Sequence, residues 1–271
     1  MSPPHSPFSA FRFPCDRLVR RPADAVLSVL LAPRCLVCGS IIDVPSDGPV
    51  CVGCWHAIHP LTPPLCDVCG DALPAWRHEA GATLCVRCRR RPSAISRGRA
   101  AGAYEGALRS VLHALKYEGR RTLAAQVAVL MRDRGAAVLE DADLVVPVPL
   151  HWRRRHARGF NQAEDLACPL GLPVVRALRR VRATRPQFGL PASERYRNLR
   201  GAFAPRRPPG LRPWSWRTRR HSGDVRGASV VLVDDVTTTG ATLESCAKAL
   251  REAGAAHVRA LTAARVVAAR R

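Results

Sequence analysis

The sequence lacks a long apolar run. Although 47% of its residues are hydrophobic, no stretch approaches the roughly 18 consecutive apolar residues that a membrane-spanning helix requires, so no membrane span is expected. The apolar segment 25–31 is too short for one, and no small-residue cleavage site of the secretory kind follows it. We therefore expect a cytoplasmic protein in which residues 1–22 form a disordered extension.

Lysine and acidic residues are also scarce. Lys116 and Lys248 are the only lysines, so nearly all of the 43 basic residues are arginine, and they outnumber the 21 acidic residues. The net charge is +22 and the pI is near 11.2. A coding bias explains the ratio of arginine to lysine, whereas the excess of basic over acidic residues fits contact with DNA, RNA or a polyphosphate. Both explanations remain open.

Cysteine, in contrast, is abundant. Eight of the 11 cysteines form four pairs, each with two residues between its members. A disulfide framework agrees with the count, but repeated pairs of this spacing in a chain without a recognisable signal peptide favour zinc, which often takes four thiolate ligands. Eight thiolates predict two four-cysteine zinc sites.

An internal repeat indicates how the cysteines group. The pattern Cys-x-Val-Cys-Gly followed by Cys-Val-x-Cys occurs twice. One zinc per repeat is the simplest arrangement, although a cross-braced arrangement, in which alternate pairs share a metal, remains open. Because the module has few large apolar residues, metal should supply most of its stability. The first predicted group is Cys35, Cys38, Cys51 and Cys54, and the second is Cys66, Cys69, Cys85 and Cys88.

The three remaining cysteines have no such pattern. Cys15 lies in the predicted extension, and we expect Cys168 and Cys246 to be small buried hydrophobic residues on helices. Nothing in the sequence places a base beside any of the three, so a catalytic thiol is not expected.

The chain length of 271 residues suggests two domains. We expect a zinc-binding module with a short N-terminal helix over residues 23–92, where an Arg-Pro-Ser sequence ends the cysteine-rich region, and an α/β domain over residues 93–271. Residues 205–227 stand apart because they are rich in arginine and proline and contain Trp214 and Trp216. Arginine with aromatic residues suits single-stranded DNA, but a disordered insertion is the favoured interpretation.

The most informative stretch is 230–242. Four apolar residues, three of them β-branched, predict a buried strand that ends before Asp234 and Asp235. A loop of threonines and a glycine follows, and then apolar residues recur at helical spacing from Leu243. Ligands bind at the carboxyl ends of strands in an open α/β sheet, and a helix amino terminus suits a phosphate. Because carboxylates suit sugar hydroxyls or a divalent cation, this stretch predicts a site for a ribose 5-phosphate.

Two comparisons narrow this interpretation. No G-x-x-x-x-G-K-[ST] sequence precedes the stretch, which argues against a P-loop NTPase. A buried strand with an ordinary hydroxyl-capped turn is the structural alternative. As a whole, the stretch resembles the phosphoribosyl-pyrophosphate (PRPP) motif of type I phosphoribosyltransferases.

The rest of the second domain alternates between strands and helices. We expect strands at 98–104, 144–149, 172–178 and 257–262, and helices at 107–116, 122–134 and 163–167. A strongly basic loop is expected over 150–162, and a long polar connection precedes the segment 201–203. The alternation predicts a doubly wound, parallel α/β sheet behind the small zinc-ribbon module.

The order of these parts resembles the ComF family of competence-associated proteins, which combine a cysteine-rich zinc module with a domain of the type I phosphoribosyltransferase kind. The resemblance covers about residues 25–267, whereas the length of 205–227 departs from it. The segments that carry it are 35–39, 116–120, 146–151, 158–163, 184–187, Glu194, Arg195, Asn198, 201–203 and 234–242.

The resemblance implies a site for Mg-PRPP. Asp234 and Asp235 would hold the ribose hydroxyls with Mg²⁺ nearby, and Arg195 and Asn198 would lie in the hood region that covers the substrate. The residues implied to bind the 5-phosphate are Thr237, Thr238, Thr239, Gly240, Ala241 and Thr242, and those of the pyrophosphate loop are Pro149, Leu150 and His151.

Three functions remain open at this point. The first is a phosphoribosyltransferase that uses PRPP. The second is a non-catalytic protein of the same fold that handles single-stranded DNA in natural transformation, with a helicase-like competence partner. The third is a nucleic-acid-binding zinc module for which the α/β domain is a scaffold. The link to DNA uptake comes from the resemblance, and no pocket for an acceptor base is recognisable in the sequence.

Overall fold

The computed structural model describes residues 24, 27, 28, 31–74, 76, 81–182, 192–206 and 224–267. The predicted extension 1–22, Thr184, Gln187 and most of the segment 205–227 lie outside them. In chain order the elements are α1 (Val52–His56), α2 (Val86–Arg90), β1 (Arg97–Ala103), α3 (Gly106–Tyr117), α4 (Leu123–Arg134), α5 (Ala136–Leu139), β2 (Leu144–Pro147), α6 (Trp152–Arg158), α7 (Gln162–Ala167), β3 (Leu178–Arg180), α8 (Ala192–Leu199), β4 (Phe203–Pro205), β5 (Ser229–Thr237), α9 (Ala241–Glu252) and β6 (His257–Arg265).

The main sheet has four parallel strands in the order β1-β6-β5-β2. Alternate residues of β5 enter two different hydrophobic clusters, because side chains alternate between the faces of a strand. Val231 and Val233 pack with α3, α4 and α7 on one face, and Val230 and Leu232 pack with α9 on the other. Helices cover both faces, which confirms the predicted doubly wound sheet.

The helices beside the site follow the predicted apolar spacing. Leu108, Val111, Leu112 and Leu115 of α3 are all buried, as are the apolar positions of α9 that begin at Leu243. Each helix therefore has one apolar face on the sheet and one polar face outside. Because all four strands are parallel, their carboxyl ends meet at one edge, where the loops after β2 and β5 lie side by side.

Three local predictions were wrong. β5 does not end before the acidic pair, because its ladder with β6 continues from Asp234 opposite Thr262 to Thr237 opposite Arg265. The predicted strand 172–178 is reduced to a single bridge between Val145 and Val174. A proline at position 173 has no N–H for a ladder, and the chain next forms β3, which pairs antiparallel with β4.

The predicted basic loop 150–162 contains a helix. His151 caps the start of α6, since its Nδ1 accepts a hydrogen bond from the Arg153 N–H at 3.4 Å. Gly159 ends α6 at a φ of +78°, a left-handed conformation that favours glycine at a helix C-terminus. Cys168 is exposed, contrary to expectation, whereas Cys246 is fully buried.

The cysteine-rich module packs on the α/β domain at two places. Trp55 and Ile58, which follow the first four cysteines, share a hydrophobic cluster with α3 and α4. The second half of the module lies against β1, where a Cβ on Gly70 would meet the Gly98 carbonyl at 2.5 Å. At residue 70, therefore, only glycine permits this approach. Among the described residues, no helix combines the length and apolar character needed to cross a bilayer.

Candidate functional site

Two groups of four cysteine thiols form in the module. In each group the sulfur atoms all lie within 4.8 Å of one another, and the groups are those of the two sequence repeats rather than a cross-braced set. The second pair of each group begins a short helix, α1 after Cys51 and α2 after Cys85. Four converging thiols are the donor set that a structural zinc ion prefers.

Backbone amides surround the thiols. Cys35 Sγ accepts hydrogen bonds from the N–H groups of Val37 at 3.4 Å and Cys51 at 3.3 Å. Cys66 Sγ accepts one from the Cys85 N–H at 3.3 Å. Such donors stabilise a thiolate, and the hydrogen bond with Ser40 lowers the pKa of Cys38 to about 6. The residues present therefore fit a zinc ion in its first and its second coordination shell.

The acidic pair lies near the carboxyl end of β5 and faces both sides of the sheet. Asp235 is only 5% exposed, and its Oδ2 lies 2.8 Å from the Nζ of Lys116 at the end of α3. Asp234 Oδ1 accepts a hydrogen bond from the Asp235 N–H at 2.9 Å. The two carboxylates are thus adjacent, and one of them is neutralised by a largely buried lysine.

The charges of this cluster are strongly coupled. Burial, followed by the neighbouring Asp235 charge, raises the pKa of Asp234 well above its usual range. Burial alone lowers the pKa of Lys116, but the attraction of Asp235 outweighs it and leaves the pKa raised. Two adjacent carboxylates with a single lysine favour a ligand that brings positive charge or hydroxyl donors.

Sequence reasoning did not assign Lys116 to this cluster. The Lys-Tyr-Glu-Gly-Arg segment was interpreted either as an anion contact or as a solvated helix end, and neither is right. The signal that could have found the ion pair is the lysine itself, because it is one of two in an arginine-rich chain and sits on the apolar face of α3. Its Nζ also lies 5.8 Å from the centre of the Tyr104 ring.

The loop between β5 and α9 contains the threonines of the predicted phosphate site. Gly240 has a φ of +78° and precedes the first residue of α9, so the chain turns into the helix where glycine is favoured. Thr239 Oγ1 accepts a hydrogen bond from the Ala241 N–H at 3.4 Å. Thr238 and Gly240 are partly exposed, and the N-terminus of α9 is open to a ligand on this side.

The helix α8 lies on this loop. Arg195 Nη1 donates to Thr238 Oγ1 at 2.9 Å, and the Tyr196 hydroxyl donates to the Thr239 carbonyl at 2.8 Å. The structure thus brings Arg195 to the predicted phosphate loop. Asn198 lies one turn further along, where its backbone carbonyl accepts a hydrogen bond from Arg182 at 3.0 Å.

The predicted pyrophosphate loop, 149–151, follows β2 and therefore lies beside the end of β5. Asn161 Nδ2 donates to the Val148 carbonyl at 3.1 Å, which fixes the start of this loop. Burial and then the positive charges of Arg180, Arg153 and Arg154 lower the pKa of His151. The neutral imidazole can thus accept the hydrogen bond that caps α6, and the surrounding arginines give the loop a positive field.

Comparison with protein families divides the chain in two. The family model described as a double zinc ribbon domain matches residues 26–89. The model described as a phosphoribosyl transferase domain matches residues 157–270, which include α7, α8, β5, α9 and β6. The cysteine groups and the acidic pair therefore fall in the two separate matches.

Several curated proteins are similar over most of their length. DNA utilization protein YhgH of Salmonella typhimurium is 35% identical over 221 residues, which are 77% of this chain and 87% of that protein. Competence protein F of Haemophilus influenzae is 30% identical over 231 residues, 82% of this chain and 92% of its own. Competence protein ComFC of Bacillus subtilis is 28% identical over 217 residues, 78% of this chain and 81% of its own.

Proposed function

Because the chain belongs to the ComF family of competence-associated proteins, we propose that it binds Mg-PRPP or a related phosphoribosyl ligand and acts in the uptake or use of DNA. One observation carries the ligand: Asp234 and Asp235 lie at the end of β5, directly before a hydroxyl-rich loop that opens α9. The names of the relatives, which refer to competence and DNA utilization, support the process.

Each part of the ligand has a matching group. The 5-phosphate would bind the loop 237–242, because α9 is a 12-residue helix whose free N–H groups and dipole favour an anion. The ribose hydroxyls would bind the acidic pair. Mg²⁺ would be held by the same carboxylates and by the diphosphate, whose charge it would neutralise. Lys116 limits the repulsion between the two carboxylates before the ligand binds.

The diphosphate would lie over the 149–151 loop. Backbone groups after β2 are next to the end of β5, and α6 adds three consecutive exposed arginines, Arg153, Arg154 and Arg155. The reaction class that such a complex supports is transfer of the ribosyl group to a nitrogen nucleophile, with diphosphate as leaving group. The protein would contribute position and charge stabilisation.

Calorimetry with Mg-PRPP tests this proposal. The wild-type protein is expected to bind one ligand per chain in a manner that requires Mg²⁺. Asp234→Asn keeps the size of the side chain and the acceptor for the Asp235 N–H but removes the carboxylate. We therefore expect its affinity to fall by about tenfold or more.

The control is Glu244→Gln on α9. Glu244 accepts hydrogen bonds from Ser93 and from the Ala94 N–H, away from the acidic pair, so its loss removes one carboxylate without touching the site. Equal affinity of the wild type and Asp234→Asn would contradict the proposed role of the acidic pair. Absence of binding to the wild type would reject Mg-PRPP as the ligand.

A second candidate function is binding of single-stranded nucleic acid, alone or together with the first. The surface of α6 favours it: Trp152 is 65% exposed and Tyr117 at the end of α3 is 66% exposed. The guanidinium of Arg153 lies 5.3 Å from the Trp152 ring centre, and that of Arg158 lies 5.3 Å from the Tyr117 ring centre. Exposed aromatics among arginines are typical of surfaces on which bases stack.

A salt titration with a single-stranded oligonucleotide tests this surface. Each phosphate contact contributes about 0.7 to the slope of log affinity against log salt. The double variant Arg154→Ala/Arg155→Ala should reduce the slope by about 1.4, whereas Arg109→Ala/Arg132→Ala, which removes equal charge from exposed positions on α3 and α4, should leave it unchanged. The same slope for both double variants would exclude α6 as the contact surface.

The remaining assignments are part of the same proposal. We place one structural zinc in each four-cysteine group and the boundary between the two modules near residue 92. A cytoplasmic location and a helicase-like competence partner stay predictions. For a partner of this kind, the exposed aromatic and arginine surface of α6 is the first place to introduce substitutions.

A further inference from the structure

The Thr239 carbonyl in the predicted phosphate loop is held by two donors from different parts of the chain. Tyr196 of α8 donates its hydroxyl at 2.8 Å. Arg87 of α2, in the second zinc ribbon, donates Nη1 at 2.9 Å. The carbonyl is thus clamped from outside the loop by both neighbouring modules.

The ribbon determines the position of Arg87. It lies between Cys85 and Cys88, which belong to one four-cysteine group, so the ligands on either side of it fix the turn that carries the side chain. The Arg87 side chain is 32% exposed, whereas Arg89 and Arg90 of the same helix are exposed. Of the three arginines of α2, therefore, Arg87 is the one that faces the α/β domain.

The ribbon is itself fastened to the end of the sheet. Arg265, the last residue of β6, is 4% exposed and donates Nε to Asp71 at 3.1 Å and Nη1 to the Cys69 carbonyl at 2.8 Å. Asp71 Oδ2 also lies 3.9 Å from Arg87 Nη2. Arg87 therefore reaches the loop from a base that is attached to the strand next to β5.

We infer that Arg87 is a positioning residue for the phosphate loop, through which the second zinc ribbon sets the direction of the loop amides. In a trans peptide the C=O and the following N–H point in opposite directions. Two donors that hold the Thr239 carbonyl towards α2 and α8 therefore direct the Gly240 N–H to the other side, into the loop. That is the direction from which a phosphate would accept it.

This inference rests on the proposed phosphoribosyl ligand for its functional meaning, but its physical content does not. The first measurement therefore uses the zinc-loaded protein without ligand. Amide order parameters are compared for the wild type, Arg87→Met and Arg89→Met. Methionine keeps an unbranched stem and removes the donor, and Arg89 provides the same change on the same helix away from the loop.

The expected result is a local loss of order. The Thr239 and Gly240 amides of the wild type should have order parameters of about 0.85, as in rigid backbone, and those of Arg87→Met should fall below about 0.6. Arg89→Met should match the wild type. If Arg87→Met fails to retain two zinc ions, Tyr196→Phe, which removes the second donor to the same carbonyl, replaces it. Unchanged order parameters in the variant used would overturn the inference.

The second measurement is affinity for Mg-PRPP. Arg87→Met should bind about tenfold more weakly than Arg89→Met, and Arg87→Lys, which retains a charged donor, should recover part of the loss. If the wild type binds no Mg-PRPP, the proposed function fails while the order parameters still decide the role of Arg87. Wild-type affinity in Arg87→Met, despite a disordered loop, would overturn Arg87 as a positioning residue.

Discussion

Replacing Cys66 and Cys69 together by serine is expected to unfold the second zinc ribbon and to lower the zinc content from two ions per chain to one. Structural zinc contributes about 10 kcal/mol or more to the folding of such modules, and the described residues of this ribbon bury few large apolar side chains. The corresponding change at Cys35 and Cys38 should cause the larger loss of overall stability, because Trp55 and Ile58 belong to the main hydrophobic cluster.

Metal analysis and limited proteolysis measure this effect. Cys168→Ser is the matched control, because Cys168 is exposed and belongs to neither four-cysteine group, so this variant should keep two zinc ions. A wild-type protein with one zinc would mean that one of the two groups does not bind metal. Retention of both ions by Cys66→Ser/Cys69→Ser would contradict the assignment of the second group.

Asp235→Asn is expected to destabilise the folded protein by about 3 kcal/mol, because it leaves the ammonium of Lys116 buried without its partner. The side chains are only 15% and 7% exposed, and their charged atoms lie 2.8 Å apart. The double variant Lys116→Met/Asp235→Asn removes both charges and should recover most of the loss. Denaturant unfolding of the zinc-loaded single and double variants gives the coupling energy between the two residues.

Lys248→Met is the natural control for this cycle, because Lys248 is the other lysine of the chain and its contact with Glu244 at 3.7 Å is largely exposed. Its replacement should change stability by less than about 0.5 kcal/mol. Additive effects of Lys116→Met and Asp235→Asn would show that the ion pair does not couple them. The double variant also offers a stable background in which binding of Mg-PRPP without Asp235 can be measured.

Local patterns were sufficient to predict the main elements of the fold. The β-branched run before Asp234 and the apolar spacing after Gly240 predict β5 and α9, since burial on a sheet and on one helix face leaves a period in the sequence. The four cysteine pairs predict the ribbons because the metal fixes ligand types and spacing. The internal repeat then predicts the grouping that the structure shows.

Contacts between distant segments could not be predicted in this way. Arg87 and Thr239 are 152 residues apart, and the pairing of Lys116 with Asp235 depends on α3 crossing the end of β5. α6 was missed because its four arginines and one histidine give no apolar face and hence no helical period. Its helical state depends instead on the His151 cap and on Gly159, which are visible only once the backbone is known.

The strand order β1-β6-β5-β2 bears on how the polypeptide acquires its fold during synthesis. β1 and β2 are made early but do not touch; the two strands between them are the last of the described strands to leave the ribosome. The central ladder therefore consists of long-range pairings, which form slowly. The cysteine-rich segment needs only local chain closure and metal, so it should mature first and wait beside an open sheet whose exposed edges chaperones would protect.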